Sequence, residues 1–142
     1  MKYQKIIVAI VVLSAMFGAV SSKIVIAEGE MGKCRILSFR EAFEASEAVF
    51  VGKVLSEEKS GDVRTFEFEV EKYWKGESKK KIKINVYETM RYQARFQVDE
   101  RYLIYANAND EGKLSVGRCS RSREADDASE DIEKLGAGKK PV

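Results

Sequence analysis

Hydrophobic and polar residues alternate along several short stretches of the chain, which is the pattern of half-buried β-strands. The clearest stretch is 63–74, in which Phe66, Phe68 and Val70 occupy one face and acidic residues occupy the other. The same reasoning predicts four further strands, at 48–55, 81–86, 102–106 and 114–116.

Two of these strands carry further information. The strand at 102–106 is apolar on both faces, so we expect it to be central in the sheet. Gly52 interrupts the first strand and predicts a bulge or a sharp bend there. The polar stretches at 56–62 and 107–112 are predicted to be a hairpin loop and a turn.

Helices are predicted at both ends of this strand-rich region. Ser38 and Glu41 form a capping-box pattern, in which each side chain can bond the backbone N–H of the other residue, and apolar residues follow at helical spacing over 39–47. A second amphipathic stretch, at 126–135, begins with acidic residues and is followed by Gly136, as at the two ends of a helix. Five short strands flanked by helices predict a mainly β fold of the small-barrel type.

The first 27 residues have the pattern of a secretory signal. Lys2 and Lys5 precede an apolar run at 6–20, and small residues follow it. A run of about 15 apolar residues is shorter than the ~20 that a transmembrane helix needs. We therefore predict a cleaved signal peptide at 1–27 and a secreted or extracytoplasmic domain at 28–142. The alternative is an uncleaved N-terminal anchor, which would be the domain's link to a membrane.

The chain has two cysteines, Cys34 and Cys119, and both lie in the predicted exported domain. In an oxidising compartment we expect them to form a disulfide. The bond would close a long loop and would stabilise the domain by roughly 4–5 kcal/mol, because it reduces the entropy of the unfolded chain. The alternative is a pair of free thiols in a reducing cytosol.

The charge of the mature domain argues against nucleic acid as a partner. The whole chain has a formal net charge of +2, and removing 1–27 takes away Lys2, Lys5 and Lys23 and no acidic residue, which leaves −1. Binding to phosphate backbones needs a concentrated basic surface. The basic run at 79–81 lies close to acidic residues, and we interpret it as a solvated strand face rather than a phosphate-binding patch.

The sequence contains no histidine, which excludes His-dependent nucleophilic catalysis and His-based zinc sites. It contains no glycine-rich phosphate loop, and no nucleophile can be paired with a base. We therefore expect neither an enzyme nor a cofactor. Glu67, Glu69 and Glu71 share one strand face. We expect them to pair with Lys81 and Lys83 across the sheet rather than to form a catalytic carboxylate pair.

Two sets of residues are candidates for binding a partner. Five tyrosines and Trp74 could line a groove, although aromatic residues on alternating strands more often pack in a core. The segment 88–100 is the longest predicted loop between strands, and loops on a rigid scaffold often carry binding residues. Arg91, Tyr92 and Arg95 are the candidate contact residues in this loop. The alternative is that the loop is simply a long connection.

The order of these features resembles the netrin-like domains related to the N-terminal domain of tissue inhibitors of metalloproteinases, in the form found in prokaryotic exported proteins. The resemblance is carried by a cysteine near the predicted mature N-terminus, the stretch EASEAVFVGKV at the short helix, WKG at the end of a strand, the strand YLIYAN, and the final stretch CSRSREADDASEDIEKLG. It covers residues 34–136.

The resemblance implies an OB-type five-stranded Greek-key barrel with a short N-terminal helix and a C-terminal helix. It also implies that Cys34 and Cys119 tether the N-terminal segment to the segment after the last strand. In animal members of the family, the first residue of the inhibitor is a cysteine whose α-amino group and carbonyl bind the catalytic zinc of a metalloprotease, filling its open position. Cys34 is the residue of this chain that matches it.

Two features of the chain differ from that pattern. The family usually has Cys-x-Cys, whereas a single cysteine stands in Cys34-Arg35-Ile36. The predicted cleavage sites also leave at least six residues before Cys34, so its nitrogen would be an amide, which is a poor zinc ligand. Zinc chelation would therefore need further trimming, or inhibition would use a different surface.

The resemblance predicts an exported, monomeric protein-binding module whose partner is a protein such as a zinc metalloprotease. The predicted binding residues are Lys33, Cys34, Arg35, Arg91, Tyr92 and Arg95. The alternative is a structural or envelope-associated interaction domain that binds a glycan or a protein without inhibitory activity, with Cys34 acting only in the disulfide.

Overall fold

The computed structural model describes residues 34–89, 92–93 and 96–142, so the predicted signal peptide lies outside the described residues. The compact unit is Cys34–Val142. Its elements in chain order are helix α1 (Phe39–Ala45), strands β1 (Ala48–Ser60), β2 (Val63–Lys75), β3 (Lys81–Tyr87), β4 (Arg101–Ala108), β5 (Leu114–Ser115) and β6 (Arg123–Glu124), a 3-10 turn (Asp126–Ala128) and helix α2 (Ser129–Leu135). The unit is mainly β, as predicted.

The strands form one six-stranded mixed sheet in the order β1-β2-β3-β5-β4-β6, and β1 also pairs with β4. All of these pairings are antiparallel except that between β3 and β5, which is a single parallel pair, Asn85 with Ser115. Because one residue pair does not make a continuous ladder, the sheet stays open along most of β3. The predicted five-stranded Greek-key barrel is therefore not confirmed: the structure is not a barrel.

The sixth strand was not predicted, because β6 is only two residues long and too short to show an alternating pattern. It pairs with β4 through Tyr102 and Leu103. The pairings of β4 with β1, β5 and β6 confirm the prediction that the doubly apolar stretch is central.

The predicted hairpin loop at 56–62 is wrong. Strands β1 and β2 continue as a paired ribbon to Ser60 and Val63, so the turn contains only Gly61 and Asp62. Gly61 has φ of +58°, a backbone conformation that glycine adopts without steric cost. These polar residues were predicted as a loop because the end of β1 is exposed to solvent and shows no alternation of apolar and polar residues.

Gly52 lies at the predicted irregularity of β1. The register between β1 and β2 shifts between Val51 and Gly52. A Cβ atom at Gly52 would lie 2.8 Å from the carbonyl oxygen of Glu69. Glycine is therefore required here because the two backbones approach closely.

Helix α1 begins at the predicted capping box. The Ser38 N–H donates to Glu41 Oε2 at 2.9 Å, and the Glu41 N–H donates to Ser38 Oγ at 3.4 Å. The helix ends at Ala45, two residues earlier than predicted, because Ser46 is extended and its hydroxyl donates to the carbonyl of Ala42 at 2.7 Å.

The predicted C-terminal helix at 126–135 starts as the 3-10 turn and becomes α-helical at Ser129. Gly136 follows α2 with φ of +79°, and its N–H donates to the carbonyl of Glu133. The position of the helix and its glycine end are therefore as predicted, and only its first turn differs.

The buried residues form two clusters because β1 and β4 are buried on both faces. The sheet-side cluster contains Phe50, Phe66, Phe68, Ile84 and Ile104, all with no exposed surface. The helix-side cluster joins β1 and β4 to α1, the 3-10 turn and α2, and it contains Ala42, Val49, Val51, Leu103, Tyr105, Ala125 and Ala128. The helix-side cluster is the base on which the candidate site rests.

Candidate functional site

Cys34 and Cys119 form a disulfide, with their Cα atoms 5.1 Å apart. The bond joins the segment before α1 to the segment between β5 and β6. We call residues 34–36 and 117–119 the disulfide edge. Within it, Arg35, Ile36, Gly117, Arg118 and Cys119 are exposed and Cys34 is half-buried.

Arg121 fixes the disulfide edge to the body of the domain. Its Nη1 donates to the carbonyl oxygen of Leu37 at 3.0 Å. Leu37 itself packs against the helix-side cluster. The chain that leads from Cys34 to α1 is therefore held by a covalent bond, a hydrogen bond and an apolar contact.

The charge of Arg121 is balanced by Asp131, which is completely buried. Arg121 donates to Asp131 through Nε at 2.6 Å and Nη2 at 2.8 Å, a bidentate pair. Arg123 lies 3.3 Å from the same carboxylate, and the hydroxyl of Tyr105 donates to it at 3.0 Å. One carboxylate on α2 thus connects β4, the segment after Cys119 and, through Arg121, the N-terminal segment.

These contacts determine the protonation of the network. Burial alone would raise the pKa of Asp131, but the hydrogen bonds from Arg121 and Tyr105 and the charge of Arg123 outweigh it and lower the pKa below its ordinary value. Burial, together with the negative charge of Asp131, raises the pKa of Tyr105 far above its ordinary value. Asp131 is therefore ionised and Tyr105 is neutral at physiological pH.

Two serine hydroxyls hold the chain after Cys119 against β4. Ser122 Oγ accepts from the Tyr105 N–H at 2.7 Å, and Ser120 Oγ donates to the Tyr105 carbonyl at 3.2 Å. Ser120 Oγ also lies 2.8 Å from Ser122 Oγ and accepts from the Ser122 N–H at 3.0 Å. Side chains thus replace the backbone pairing that a longer β6 would supply at this point of β4.

A shallow cavity of about 270 Å³ lies beside the disulfide edge. Its lining residues come from the N-terminal segment, α1, β4 and the segment around Cys119: Arg35, Leu37, Ala42, Ala45, Ser46, Tyr105, Asn107, Gly117, Cys119, Ser120 and Arg121. The cavity could receive one side chain of a partner, and Arg35, Gly117 and Cys119 of the disulfide edge form part of its wall.

Within residues 34–89, 92–93 and 96–142, there is no group of acidic or cysteine side chains that could hold a metal ion. In the same residues, every buried side-chain nitrogen or oxygen atom has a hydrogen-bond partner. The described part of the chain also contains no helix that is long and apolar enough to cross a membrane.

The predicted binding residues fall into three groups. Cys34 and Arg35 are on the disulfide edge, where Arg35 donates to Glu41 at 2.7 Å. Lys33, Arg91 and Arg95 lie outside the described residues.

Tyr92 is the third group, and it lies elsewhere in the fold. It is half-buried, packs against the sheet-side cluster and forms an isolated backbone bridge with Thr89. Leu37, the neighbour of the disulfide edge, packs against the helix-side cluster instead. Tyr92 and the disulfide edge therefore rest on different parts of the core.

The segment 88–100 is anchored by Phe96. Its ring makes edge-on contacts with Phe66, Phe68 and Tyr102, at centroid distances of 5.2, 5.6 and 4.9 Å. The hydroxyl of Tyr102 accepts from the Gln97 N–H at 3.0 Å. This segment therefore closes one end of the sheet-side cluster in addition to connecting β3 to β4.

The aromatic residues divide as the core interpretation predicts, with one exception. Tyr102 and Tyr105 are buried, and Tyr73 is half-buried against the sheet-side cluster. Trp74 is half-buried on the helix side, and its Nε1 donates to the carbonyl of Gly136 at 3.1 Å. Tyr87 is the exception, since 48% of it is exposed.

In the described residues, the predicted pairing of the glutamate face of β2 with Lys81 and Lys83 is confirmed only between Lys81 and Glu67. Lys81 lies 3.3 Å from Glu67. Glu71 instead forms a bidentate pair with Arg101 of β4, with both distances 2.7 Å. The hydrogen bonds from Arg101 lower the pKa of Glu71, so Glu71 is ionised in this pair.

Sequence reasoning missed Arg121, Arg123 and Asp131, although two signals were present. Serine and arginine alternate at 120–123, the period of an extended segment with two different faces. Asp131 lies three residues after Ala128, on the apolar face of α2. An acidic residue on an apolar helix face indicates a buried ion pair, because an unpaired buried charge is costly.

No protein-family model matches the chain, and no curated protein matches it.

Proposed function

We propose that the chain is an exported protein-binding module of the netrin-like type and that the disulfide edge is its binding surface. The observation that carries the proposal is the combination of exposure and fixation at this edge. Ile36 is 52% exposed, while the disulfide and the bond from Arg121 to the Leu37 carbonyl hold the backbone beside it. A fixed surface binds with a smaller loss of conformational entropy than a mobile one.

The composition of the edge fits a protein partner. An exposed isoleucine is flanked by Arg35, and Arg118 stands on the opposite side of the disulfide. Apolar and arginine side chains are typical of the centres of protein interfaces. The disulfide also suggests an oxidising, extracytoplasmic setting, which agrees with export by the predicted signal peptide.

Metalloprotease inhibition is the more specific form of the proposal. It requires that Cys34 become the first residue, because only then do its α-amino nitrogen and its carbonyl form a zinc chelate. Cleavage after Lys33 would produce this terminus. The disulfide to Cys119 would keep the new terminus in place on the fixed edge.

The test compares three oxidised forms of the domain against a panel of zinc metalloproteases. One form begins at Cys34, one begins at Cys34 with its α-amino group acetylated, and one begins at Glu28. We expect the first form to inhibit at least about a hundredfold better than the other two, which corresponds to roughly 2.7 kcal/mol. Equal inhibition by all three would show that chelation is wrong, and no inhibition by any would show that the inhibitor function is wrong.

Binding without inhibition is the alternative, and it is tested on the same edge. The oxidised domain is used to capture partners from the native extracellular fraction, with Ile36→Asp as the edge variant. Val98→Asp is the matched control, because Val98 is 43% exposed and lies in the segment between β3 and β4. Loss of the captured protein with Ile36→Asp alone supports the proposal, and equal capture by both variants contradicts it.

A further inference from the structure

The outer edge of β3 is open. In an antiparallel pair, alternate residues direct their N–H and C=O groups toward the partner strand. The bonds from the Val70 N–H to the Lys80 carbonyl and from the Glu88 N–H to the Asp62 carbonyl place the even-numbered residues of β3 on the β2 side. The N–H and C=O groups of Lys81 and Lys83 therefore point away from β2.

The far side of β3 is paired at one position only. The Val116 N–H donates to the Asn85 carbonyl at 3.1 Å, and Asn85 pairs with Ser115 of β5. In the described part of the chain, no strand pairs with Lys81 or Lys83 on this side. Several unpaired backbone groups in a row are a template for another extended chain.

A groove of about 970 Å³ runs along this open edge and over the adjoining outer face of the sheet. It is lined by residues of β2 and β3, by residues near both ends of β1 and by two turns: Glu47, Ala48, Glu58, Val63, Thr65, Gly76, Glu77, Lys79, Lys81, Ile82, Lys83, Asn85, Gly112, Lys113 and Leu114. None of these residues lines the cavity beside the disulfide edge.

Four lysines and three glutamates line the groove, and the two lysines of β3 favour an acidic ligand beside that strand. Lys81 is paired with Glu67, and Lys113 is paired with Glu111 at 2.7 Å. Lys83 is exposed and has no ion-pair partner among the described residues. A carboxylate placed beside Lys83 would also lie next to the charge of Lys81, two residues away on the same face.

We propose that this groove binds an extended acidic peptide segment as an added strand on β3. The peptide backbone pairs with the N–H and C=O groups of Lys81 and Lys83. Its acidic side chains face these two lysines, and its alternate side chains are small and apolar and face the side of Ile82 and Leu114. Main-chain pairing supplies the affinity and the alternating side chains supply the specificity, as in other cases of strand addition.

The probe is an eight-residue, acetylated and amidated peptide of alternating Glu and Val, titrated into the oxidised domain. Two further versions carry methyl groups on all Glu nitrogens or on all Val nitrogens, and a fourth replaces Glu by Lys. We expect the Glu-Val peptide to bind and to protect the amide protons of Lys81 and Lys83 from exchange. The methylated version whose methyl groups lie on the nitrogens facing β3 should bind at least about tenfold more weakly than the Glu-Val peptide, roughly 1.4 kcal/mol. The Lys version should be weakened by at least as much.

Variants of the domain separate charge from backbone pairing. Lys83→Glu should weaken binding at least about tenfold, roughly 1.4 kcal/mol, while Lys80→Glu, the same change at an exposed residue outside the groove, should not. Lys83→Pro removes an outward N–H without breaking a β2–β3 hydrogen bond, because proline is tolerated on the solvent side of an edge strand. It should abolish protection at Lys81, and Lys83→Ala should retain it.

Three results would overturn the proposal. The first is no binding of the Glu-Val peptide at millimolar concentration, and the second is equal binding of both methylated versions. The third is a concentration-dependent dimer, measured by sedimentation, that protects Lys81 and Lys83 without peptide, since the edge would then be a contact between two copies. None of these experiments changes Cys34 or the residues around it. Their failure would therefore not count against the function proposed for the disulfide edge.

Discussion

Asp131 is the residue on which the attachment of the N-terminal segment depends. Its carboxylate holds Arg121, and Arg121 in turn holds the carbonyl of Leu37. A buried ion pair is strongly destabilised when one partner is removed, because the other charge is left buried without compensation. The importance of Asp131 therefore lies in orienting Arg121 more than in the net energy of the ion pair.

We predict that Asp131→Asn lowers the free energy of unfolding by about 3 kcal/mol, because Arg121 and Arg123 lose their counter-charge. Urea denaturation measures the change. Glu130→Gln is the control, since Glu130 is exposed on the same helix and pairs only with Lys134 on the surface. A loss of similar size in both variants would contradict the role given to the buried carboxylate.

The stability of the domain should depend on pH through Asp131. Its pKa is lowered from the ordinary value of 3.8 in the folded state, so its contribution is complete above the unfolded pKa and is lost as pH falls through the folded pKa. The difference in unfolding free energy between wild type and Asp131→Asn should be constant above about pH 5 and should shrink below about pH 4. Urea midpoints measured from pH 2 to 7 test this, and a constant difference throughout would contradict it.

At the scale of single residues, local sequence patterns correctly predicted the features that depend on residues close together in the chain. The capping box of Ser38 and Glu41 and the irregularity at Gly52 are of this kind, because backbone geometry and adjacent atoms determine both. The roles of Arg121 and Asp131 were not predicted, since they depend on partners brought together only by the fold. The direct contact between Arg121 and Leu37, 84 positions apart, is an example.

One side chain, Phe96, attaches the segment 88–100 to the sheet-side cluster. The segment was predicted as a candidate binding loop because it is the longest connection between predicted strands. Phe96 nevertheless inserts among Phe66, Phe68 and Tyr102. Apolar residues alternate with polar ones from 90 to 98, and Phe96 is one of them. This signal for an inserted face was present in the sequence but was not used in the prediction.

We predict that Phe96→Ala destabilises the domain by about 2–3 kcal/mol, less than the 3–5 kcal/mol typical of a fully buried phenylalanine, because Phe96 is only half-buried. The Gln97 amide proton should also exchange faster, since its bond to the Tyr102 hydroxyl depends on the same anchor. Denaturant unfolding and hydrogen exchange measure these two effects. Val98→Ala, an exposed neighbour, should change neither, and an equal effect there would contradict the anchor.

At the scale of the whole molecule, the alternating pattern does not predict the order of the strands in the sheet. Each long strand was predicted close to its true position, because alternation over several residues reports burial of one face. Two neighbour pairs were also predicted, β1 with β2 through the hairpin and β2 with β3 through the facing glutamates and lysines. The neighbours of β4 were not, since periodicity carries no information on which edges meet. The outer edge of β3 is open because β5 is only two residues long. No pattern in the sequence indicated how many residues of β5 would pair with β3.

At the scale of the whole molecule we predict that Cys34→Ser combined with Cys119→Ser lowers the free energy of unfolding by roughly 4–5 kcal/mol, the chain-entropy value for a loop of this length. The sheet should remain folded, while the amide protons of 35–37 exchange faster than in wild type. Thermal unfolding and hydrogen exchange measure these effects. Addition of reductant should lower the melting temperature of wild type and leave the double variant unchanged, and a reductant effect on both would contradict the assignment.

The disulfide spans 85 positions and encloses strands β1 to β5. A protease that cuts once anywhere inside this ring releases no fragment, because the two pieces stay joined through sulfur. Tension applied between Cys34 and the C-terminus likewise passes through the sulfur bridge and can extend only the residues after Cys119. Outside a reducing cytoplasm, strands β1 to β5 thus stay joined after a single cut and are shielded from tension between Cys34 and the C-terminus.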